Sequence, residues 1–346
     1  MADNKYKEHP VDFVVTWVDG NDPVWQAEKA KYMPPTRGGR GADSRVSRFR
    51  DWDNMQYWFR AVEKFAPWVR KIHFVTCGHL PKWLNTDNPR LHIAKHSEFI
   101  PAEYLPTFSS QPIELNIHRI KGLAERFVYF NDDMFLLQPV KRELFFAGKD
   151  DYPTDFAITS TISTTTSGDM MPFIKLNCMT ILNDNFDKEV QMKKHLWKWL
   201  NPVYGANALR NLIFMGEHRF KGFANNHLAF SFLKSEYEDI WNKEFDALDE
   251  TSCHKFRSKI DLDNWLIRYW QLVRGHFEPI GRHVKGRVYE VYNGVAENQG
   301  LFDIIENQSM PMLCINDNDN IDFEPMKKRV QQAFNKILPE KSSFEK

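Results

Sequence analysis

An amide and two carboxylates, Asn131-Asp132-Asp133, follow directly on Arg126-Phe127-Val128-Tyr129-Phe130. The residues before them are rich in β-branched and aromatic side chains and read as a buried strand. Adjacent carboxylates repel unless something positive lies between them, so they make poor core residues and good ligands. Hard oxygen donors of this kind suit Mg²⁺ or Mn²⁺, which hold few protein carboxylates and complete their shells with water and substrate phosphate. In an open α/β sheet, ligands sit outside the carboxyl ends of the strands, where this chain would place the group. A surface turn with a helix cap uses the same residue types, and the local sequence leaves that alternative open.

Two further strand ends carry polar groups. Val11 to Val18 reads as a first strand running into Asp19-Gly20-Asn21-Asp22-Pro23. Gly20 tolerates positive φ, and Asp19 and Asn21 bond their own backbone, which makes a tight turn. In a nucleotide-binding sheet the same loop would bring a carboxylate to the base or ribose and a close backbone to phosphate. Neither G-x-G-x-x-G nor G-x-x-x-x-G-K-[ST] occurs, which disfavours a dinucleotide site and a P-loop. Near the other end, Met312-Leu313-Cys314-Ile315 delivers Asn316-Asp317-Asn318-Asp319-Asn320, again an apolar strand ending in amides and carboxylates. This is no EF-hand loop, because the sixth-position glycine and the closing glutamate are missing.

Basic groups come from several places. Arg37, Arg40, Arg45, Arg48 and Arg50 are interleaved with Gly38, Gly39 and Gly41, forming either a solvated loop or a lid whose guanidinium forks grip a diphosphate. Asn225-Asn226-His227 precedes an apolar-periodic stretch, Leu228 to Phe245, which the spacing predicts as a helix. At a helix amino terminus an imidazole is held neutral and can accept a proton. His254-Lys255-Phe256-Arg257 precedes a helix predicted over Leu262 to Val273, and cations there are disfavoured unless an anion lies nearby.

The elements that must position these groups alternate. Within Asp51 to Phe65, Met55, Trp58, Phe59, Val62 and Phe65 mark an amphipathic helix that ends before Pro67. Lys71 to Thr76 is a second strand, and Leu91 and Ile93 mark another short one. Pro101 to Pro112 reads as a loop, and Ile113 to Leu123 leads through a helix into the Arg126 strand. Strand and helix in alternation imply an α/β fold with a mostly parallel sheet and helices on its faces, and bring the loops after the Val11, Lys71 and Arg126 strands to one edge. After Val140 the rhythm changes to a helical insert. Thr159 to Ser167 has Thr or Ser at eight of nine positions, fitting a flap or an edge strand. Lys188 to Lys221 is basic and aromatic, an exposed helix with inward Trp side chains or a contact for anionic lipid. Phe323 to Leu338 is a terminal amphipathic helix, with a tail expected to fray.

With 346 residues, a sizeable core is no difficulty. Forty-six basic and 46 acidic residues cancel, which argues against nucleic-acid binding by bulk charge. The polar first ten residues hold no signal-peptide segment, and no run of about 18 apolar residues occurs. The expected location is cytoplasmic, with peripheral contact at the inner face of the membrane left open. Cys77, Cys178, Cys253 and Cys314 are far apart and fit reduced thiols.

Taken together, four blocks resemble the Stealth family of hexose-1-phosphate transferases, which shares its domain with the lysosomal-enzyme N-acetylglucosamine-1-phosphotransferase. They are Phe13-Val-Val-Thr-Trp-Val-Asp-Gly-Asn-Asp22, Arg48 through Phe135, Asn226-His227 through Arg257, and Cys314-Ile-Asn-Asp-Asn318. The second is the most specific, with Ala66-Pro-Trp-Val-Arg-Lys-Ile72, Leu105-Pro-Thr-Phe-Ser-Ser110, Ile113-Glu114, His118-Arg119-Ile120 and Phe127-Val-Tyr-Phe-Asn-Asp-Asp133. Two positions depart from the family pattern: Asn54, where an acidic residue is more common, and Leu228-Ala229-Phe230, where a proline-bearing sequence is common. The resemblance implies a glycosyltransferase-A-like catalytic domain over residues 11–320, its nucleotide-sugar part at 11–150 and 300–320 and its acceptor part at 151–299. It implies transfer of a sugar 1-phosphate from a nucleotide-sugar, a UDP-hexose or UDP-N-acetylhexosamine, to a free or lipid-linked glycan in capsular or exopolysaccharide synthesis. The implied roles are Mg²⁺ or Mn²⁺ on Asp132 and Asp133, with Asn316 and Asp317 as further ligands, and His227 as base. Arg119, Arg257, Arg48 and Arg50 would hold the diphosphate, with His118 nearby, and Asp19, Gly20 and Asn21 would lie against the nucleotide. A conventional glycosyltransferase releasing a nucleoside diphosphate, a carbohydrate-binding module and a nucleotide-dependent regulator are the alternatives.

Overall fold

The computed structural model describes residues 8–33, 50–163, 165 and 169–346. In chain order its strands are β1 (Val11–Thr16), β2 (Lys71–Thr76), β3 (Leu91–Lys95), β4 (Arg126–Phe130), β5 (Met134–Leu136), β6 (Phe146–Ala147), β7 (Tyr152–Asp155), β8 (Phe230–Leu233), β9 (Glu278–Pro279), β10 (Gly286–Glu290) and β11 (Met312–Asn316). A five-stranded sheet in the order β3-β2-β1-β4-β8 is the centre of the molecule, parallel except for β8. The predicted α/β fold with a mostly parallel sheet is therefore present. Strand residues alternate between two cores, as side chains on a pleat must. Phe13, Val15, Val128 and Phe130 enter one and Val14, Phe127 and Tyr129 the other. The first core is closed by the helices Met55–Phe65, Gln299–Glu306 and Phe323–Ile337; the second by Ser110–Asn116, Met171–Asn185, Lys234–Lys243 and Asn264–Arg274.

A second sheet, β10-β11-β5, is what gives the site its depth. The chain leaves β4, turns through Asn131-Asp132-Asp133 and enters β5, which pairs antiparallel with β11. The acidic turn thus sits where the chain passes from one sheet to the other. A third group, β6-β7-β9, braces the insert.

Three local expectations are corrected. The stretch Leu228 to Phe245 is not one helix: Phe230 to Leu233 form β8, and a helix starts only at Lys234 and ends at Lys243. An apolar strand followed directly by an amphipathic helix imitates one long periodic run. The helix predicted from Leu262 begins at Asn264, where the Asp263 side chain accepts from Trp265 N at 2.9 Å as its cap. Finally, the carboxyl-terminal tail is docked rather than frayed. Phe344 is fully buried 5.2 Å from Phe59, and Glu345 takes the Arg60 guanidinium at 2.7 Å. Phe344→Ala should accordingly cost about 3 to 5 kcal/mol of stability by urea unfolding.

In the basic aromatic segment, Trp199 is buried whereas Trp197 is 70% exposed. Lys188 and Lys198 turn inward onto backbone carbonyls, leaving Lys193 and Lys194 outside. Of the Ser/Thr stretch, Thr159 pairs with Phe223; residues 164 and 166–168 lie outside the described residues, as do Arg37, Arg40, Arg45 and Arg48. All four cysteines are free thiols. No described helix is long and apolar enough to cross a membrane.

Candidate active site

The carboxyl ends of β1, β2, β4 and β11 converge on a cleft of about 600 Å³. Asn131, Asp132, Asp133, His227, Arg257, Arg50, Asn316 and Asp317 all line it, so segments distant in sequence meet there. The acidic turn is held by its backbone: Met134 N donates to Asn131 O at 3.3 Å, and Ile315 N donates to Asp133 O at 2.8 Å. Both side chains are left for the cleft.

Asp133 Oδ2 lies 4.0 Å from His227 Nδ1, and Cys314 Sγ lies 3.6 Å from the same nitrogen. The Asn131 amide nitrogen is 3.1 Å from His227 Nε2. With Asp133 beside Nδ1, the imidazole is oriented to carry its proton there and to keep Nε2 as acceptor. No helix dipole contributes, because the segment after His227 leads into β8 and not into a helix. Asp133 Oδ1 is buried and has no hydrogen-bond donor among the described residues. A buried carboxylate oxygen without a donor carries a full desolvation penalty, which a cation would relieve. Asp132 is exposed at the cleft mouth; the protein crowded around it, then Asp133, then Asp51 push its carboxyl up to about 8. The orphaned oxygen of Asp133, on a turn that also carries Asp132, therefore fits a divalent cation at Asp133.

This pKa shift has a measurable consequence. The folded state favours the protonated Asp132, so without metal it is increasingly penalised as pH rises from the ordinary value of 3.8 to about 8. Asp132→Asn is expected to raise the Tm of metal-free protein at pH 8 and to leave it unchanged near pH 4 in thermal melts.

Asn316 donates its amide to Glu290 at 2.6 Å, leaving its amide oxygen for a ligand. Asp317 is differently committed. It accepts from Trp52 Nε1 at 3.1 Å and pairs with Arg50 at 3.6 Å, so it steadies the arginine, whose guanidinium also lies 4.7 Å over the Phe323 ring. At the opposite wall, Arg257 reaches Ser110 Oγ at 3.2 Å and Met171 S at 3.4 Å. It sits in a loop rather than at a helix start and makes no ion pair among the described residues. Glu114 and Asp263 lie behind it; burial raises both carboxyls, with Glu114 helping to push Asp263 to about 7. An arginine whose nearest carboxylates are reluctant to ionise keeps its charge available for an anion in the cleft.

Other expected residues lie elsewhere. Asp19, Gly20 and Asn21 close a turn on themselves beside the cleft: Asn21 N donates to Asp19 at 2.9 Å and Gln26 donates to Gly20 O at 2.7 Å. Thr16, Trp17 and Val18 line the cleft in their place. His118 and Arg119 are not brought to it. His118 is buried against Tyr237, its ring centroid 5.5 Å away, and burial lowers its imidazole to about 3; Arg119 covers Trp241 at the surface, 4.7 Å from the ring. Sequence reasoning missed Asp51, Glu114 and Asp263 as site groups. Glu114 and Asp263 resemble a helix position and a helix cap, and only their convergence on Arg257 gives them away.

Comparison with known proteins gives the family. Residues 9–34 match the family model for Stealth protein CR1, conserved region 1, and residues 48–153 match Stealth protein CR2, conserved region 2. The second match spans Asp51, Glu114, Asp132 and Asp133. The chain is 43% identical over 337 residues to a capsular polysaccharide phosphotransferase WcwK of Streptococcus pneumoniae, covering 97% of this chain and 99% of that protein. It is 37% identical over 337 residues to the receptor polysaccharide phosphotransferase WefC of Streptococcus oralis, covering 97% and 99% of the two chains. It is also 37% identical over 338 residues to the exopolysaccharide phosphotransferase cps2G of Lactiplantibacillus plantarum, covering 97% and 96%. With similarity along nearly its whole length and the two conserved regions placed around one acidic cleft, this chain belongs to the Stealth family.

Proposed function

We propose that this protein transfers a sugar 1-phosphate from a nucleotide-sugar, of the UDP-hexose or UDP-N-acetylhexosamine type, to a glycan hydroxyl in capsular or exopolysaccharide synthesis. The observation that carries the reading is the meeting, in one cleft, of Asp132 and Asp133, the latter with an unpaired buried oxygen and with His227 beside it, with Arg257, which comes from a separate part of the chain. The donor diphosphate would lie between the two carboxylates and Arg257. Mg²⁺ or Mn²⁺ held by Asp132 and Asp133, with the Asn316 amide oxygen in reach, would neutralise charge on the phosphate oxygens.

The chain's own groups do the rest. Arg257 meets the diphosphate from the far wall, and Arg50, steadied by Asp317, meets it from the near one. The acceptor hydroxyl takes the place of Asn131 at His227 Nε2, gives up its proton there and attacks the phosphorus next to the sugar. The bond from that phosphorus to the nucleotide phosphate breaks, releasing a nucleoside monophosphate. The anomeric C–O bond survives and a phosphodiester forms. Incubation with a panel of nucleotide-sugars, Mg²⁺ and glycan acceptors should release the monophosphate; release of the diphosphate would mean ordinary glycosyl transfer.

Exposed Trp197 beside Lys193 and Lys194 supports peripheral contact with an anionic membrane bearing a lipid-linked acceptor. Co-sedimentation with anionic vesicles, reduced by Trp197→Ala and absent with neutral vesicles, is the expected result.

A further inference from the structure

A second cavity of about 250 Å³ adjoins the active-site cleft. The two share walls. Met171 faces the cleft and Pro172 the second cavity; Trp265 faces the cleft while Lys175, which lines the cavity, holds its Nζ 4.7 Å from the Trp265 ring. Asn225, two residues before His227, lines the cavity as well.

Its lining carries three cations, Lys175, Arg210 and Arg282, and no carboxylate among the described residues. Arg210 spends one nitrogen on Thr159 O at 3.1 Å, and Arg282 spends one on Asn226 Oδ1 at 3.1 Å. None of the three forms an ion pair among the described residues, although the chain has as many acids as bases. Asp263 and Asp169 attract Lys175 from outside the lining, but burial prevails and lowers its ammonium pKa. Hydroxyls of Thr159, Ser160 and Ser163 complete the wall. Cations gathered in one cavity whose described lining holds no carboxylate, joined by hydroxyl donors, are what a phosphate-type anion requires.

We propose that this cavity is an acceptor subsite, holding a phosphodiester already present in the growing glycan while a neighbouring sugar presents its hydroxyl to His227. The assignment rests on the phosphotransfer reading of the cleft. Each transfer would write a phosphodiester into the product, so an acceptor extended in earlier rounds carries the anion this cavity would hold. Arg282 bonded to Asn226 would connect its occupancy to the segment bearing the base.

The test uses Lys175→Gln with Arg210→Gln, neither of which lines the cleft. With a glycan fragment bearing a phosphodiester, the double variant should raise the acceptor KM about tenfold or more. With the same fragment stripped of phosphate, KM should not change, and the rate of donor hydrolysis in water should be that of the unaltered protein. Equal change for both fragments, or change for neither, would overturn the proposal. A second arm needs no turnover: in an Arg257→Gln background, which weakens phosphate binding in the cleft, inorganic phosphate should still bind calorimetrically and should stop binding when the two Gln substitutions are added. Residual binding that is absent, or that persists in the triple variant, contradicts the subsite. If the unaltered protein binds phosphate here but releases no monophosphate from any donor, it is the phosphotransfer reading that fails.

Discussion

Asp133→Ala should lower nucleoside monophosphate release by at least about 10³-fold, the scale of a lost divalent-ion contribution of several kcal/mol to the transition state. Asp132→Ala should behave alike. Neither change should unfold the protein. The turn is held by main-chain bonds, Met134 N to Asn131 O and Ile315 N to Asp133 O, which alanine retains. The Asp133 side chain has a buried oxygen with no donor, so its removal takes away repulsion as much as support. Circular dichroism and a thermal melt would check the fold, and stopped assays of released nucleotide would check the rate. Activity within about tenfold of the unaltered protein would remove the two carboxylates from the mechanism.

His227→Ala carries the second large effect. A positioned base contributes about 10²- to 10⁴-fold, so turnover at saturating donor should fall within that range while donor KM changes little. The geometry separates this from a loss of binding, because His227 touches Asn131, Cys314 and Asp133 whereas the arginines lie elsewhere in the cleft. Unchanged turnover would place the proton acceptor elsewhere.

What the sequence made legible was whatever depended on local pattern. The strands β1, β2, β4 and β11 announce themselves by apolar runs, and the acids at their ends cannot be core, so Asp132, Asp133 and Asn316 could be placed at one edge. His227 was found by type, but for a local reason the structure replaces: no helix follows it, and its orientation comes from Asp133 and Cys314. The family resemblance implied His118 and Arg119 as site residues through the block His118-Arg119-Ile120. The Ser110–Asn116 helix carries them away from the cleft, which its amino end lines, and toward Tyr237 and Trp241. Glu114 and Asp263 were not legible, since their raised carboxyls come from tertiary burial rather than from neighbours in sequence. Asp317 looked like a metal ligand until Arg50 and Trp52, some 265 residues earlier in the case of Trp52, were seen to claim it.

The central claim, that Asp132 and Asp133 gather a divalent ion against the donor diphosphate, is open to one direct measurement. Mn²⁺ bound beside the donor should shorten the phosphorus relaxation of both diphosphate nuclei in the presence of the unaltered protein, read by ³¹P NMR. The account predicts that this enhancement is lost when Asp132 and Asp133 are both replaced by Ala. Equal relaxation enhancement in that double variant would contradict it.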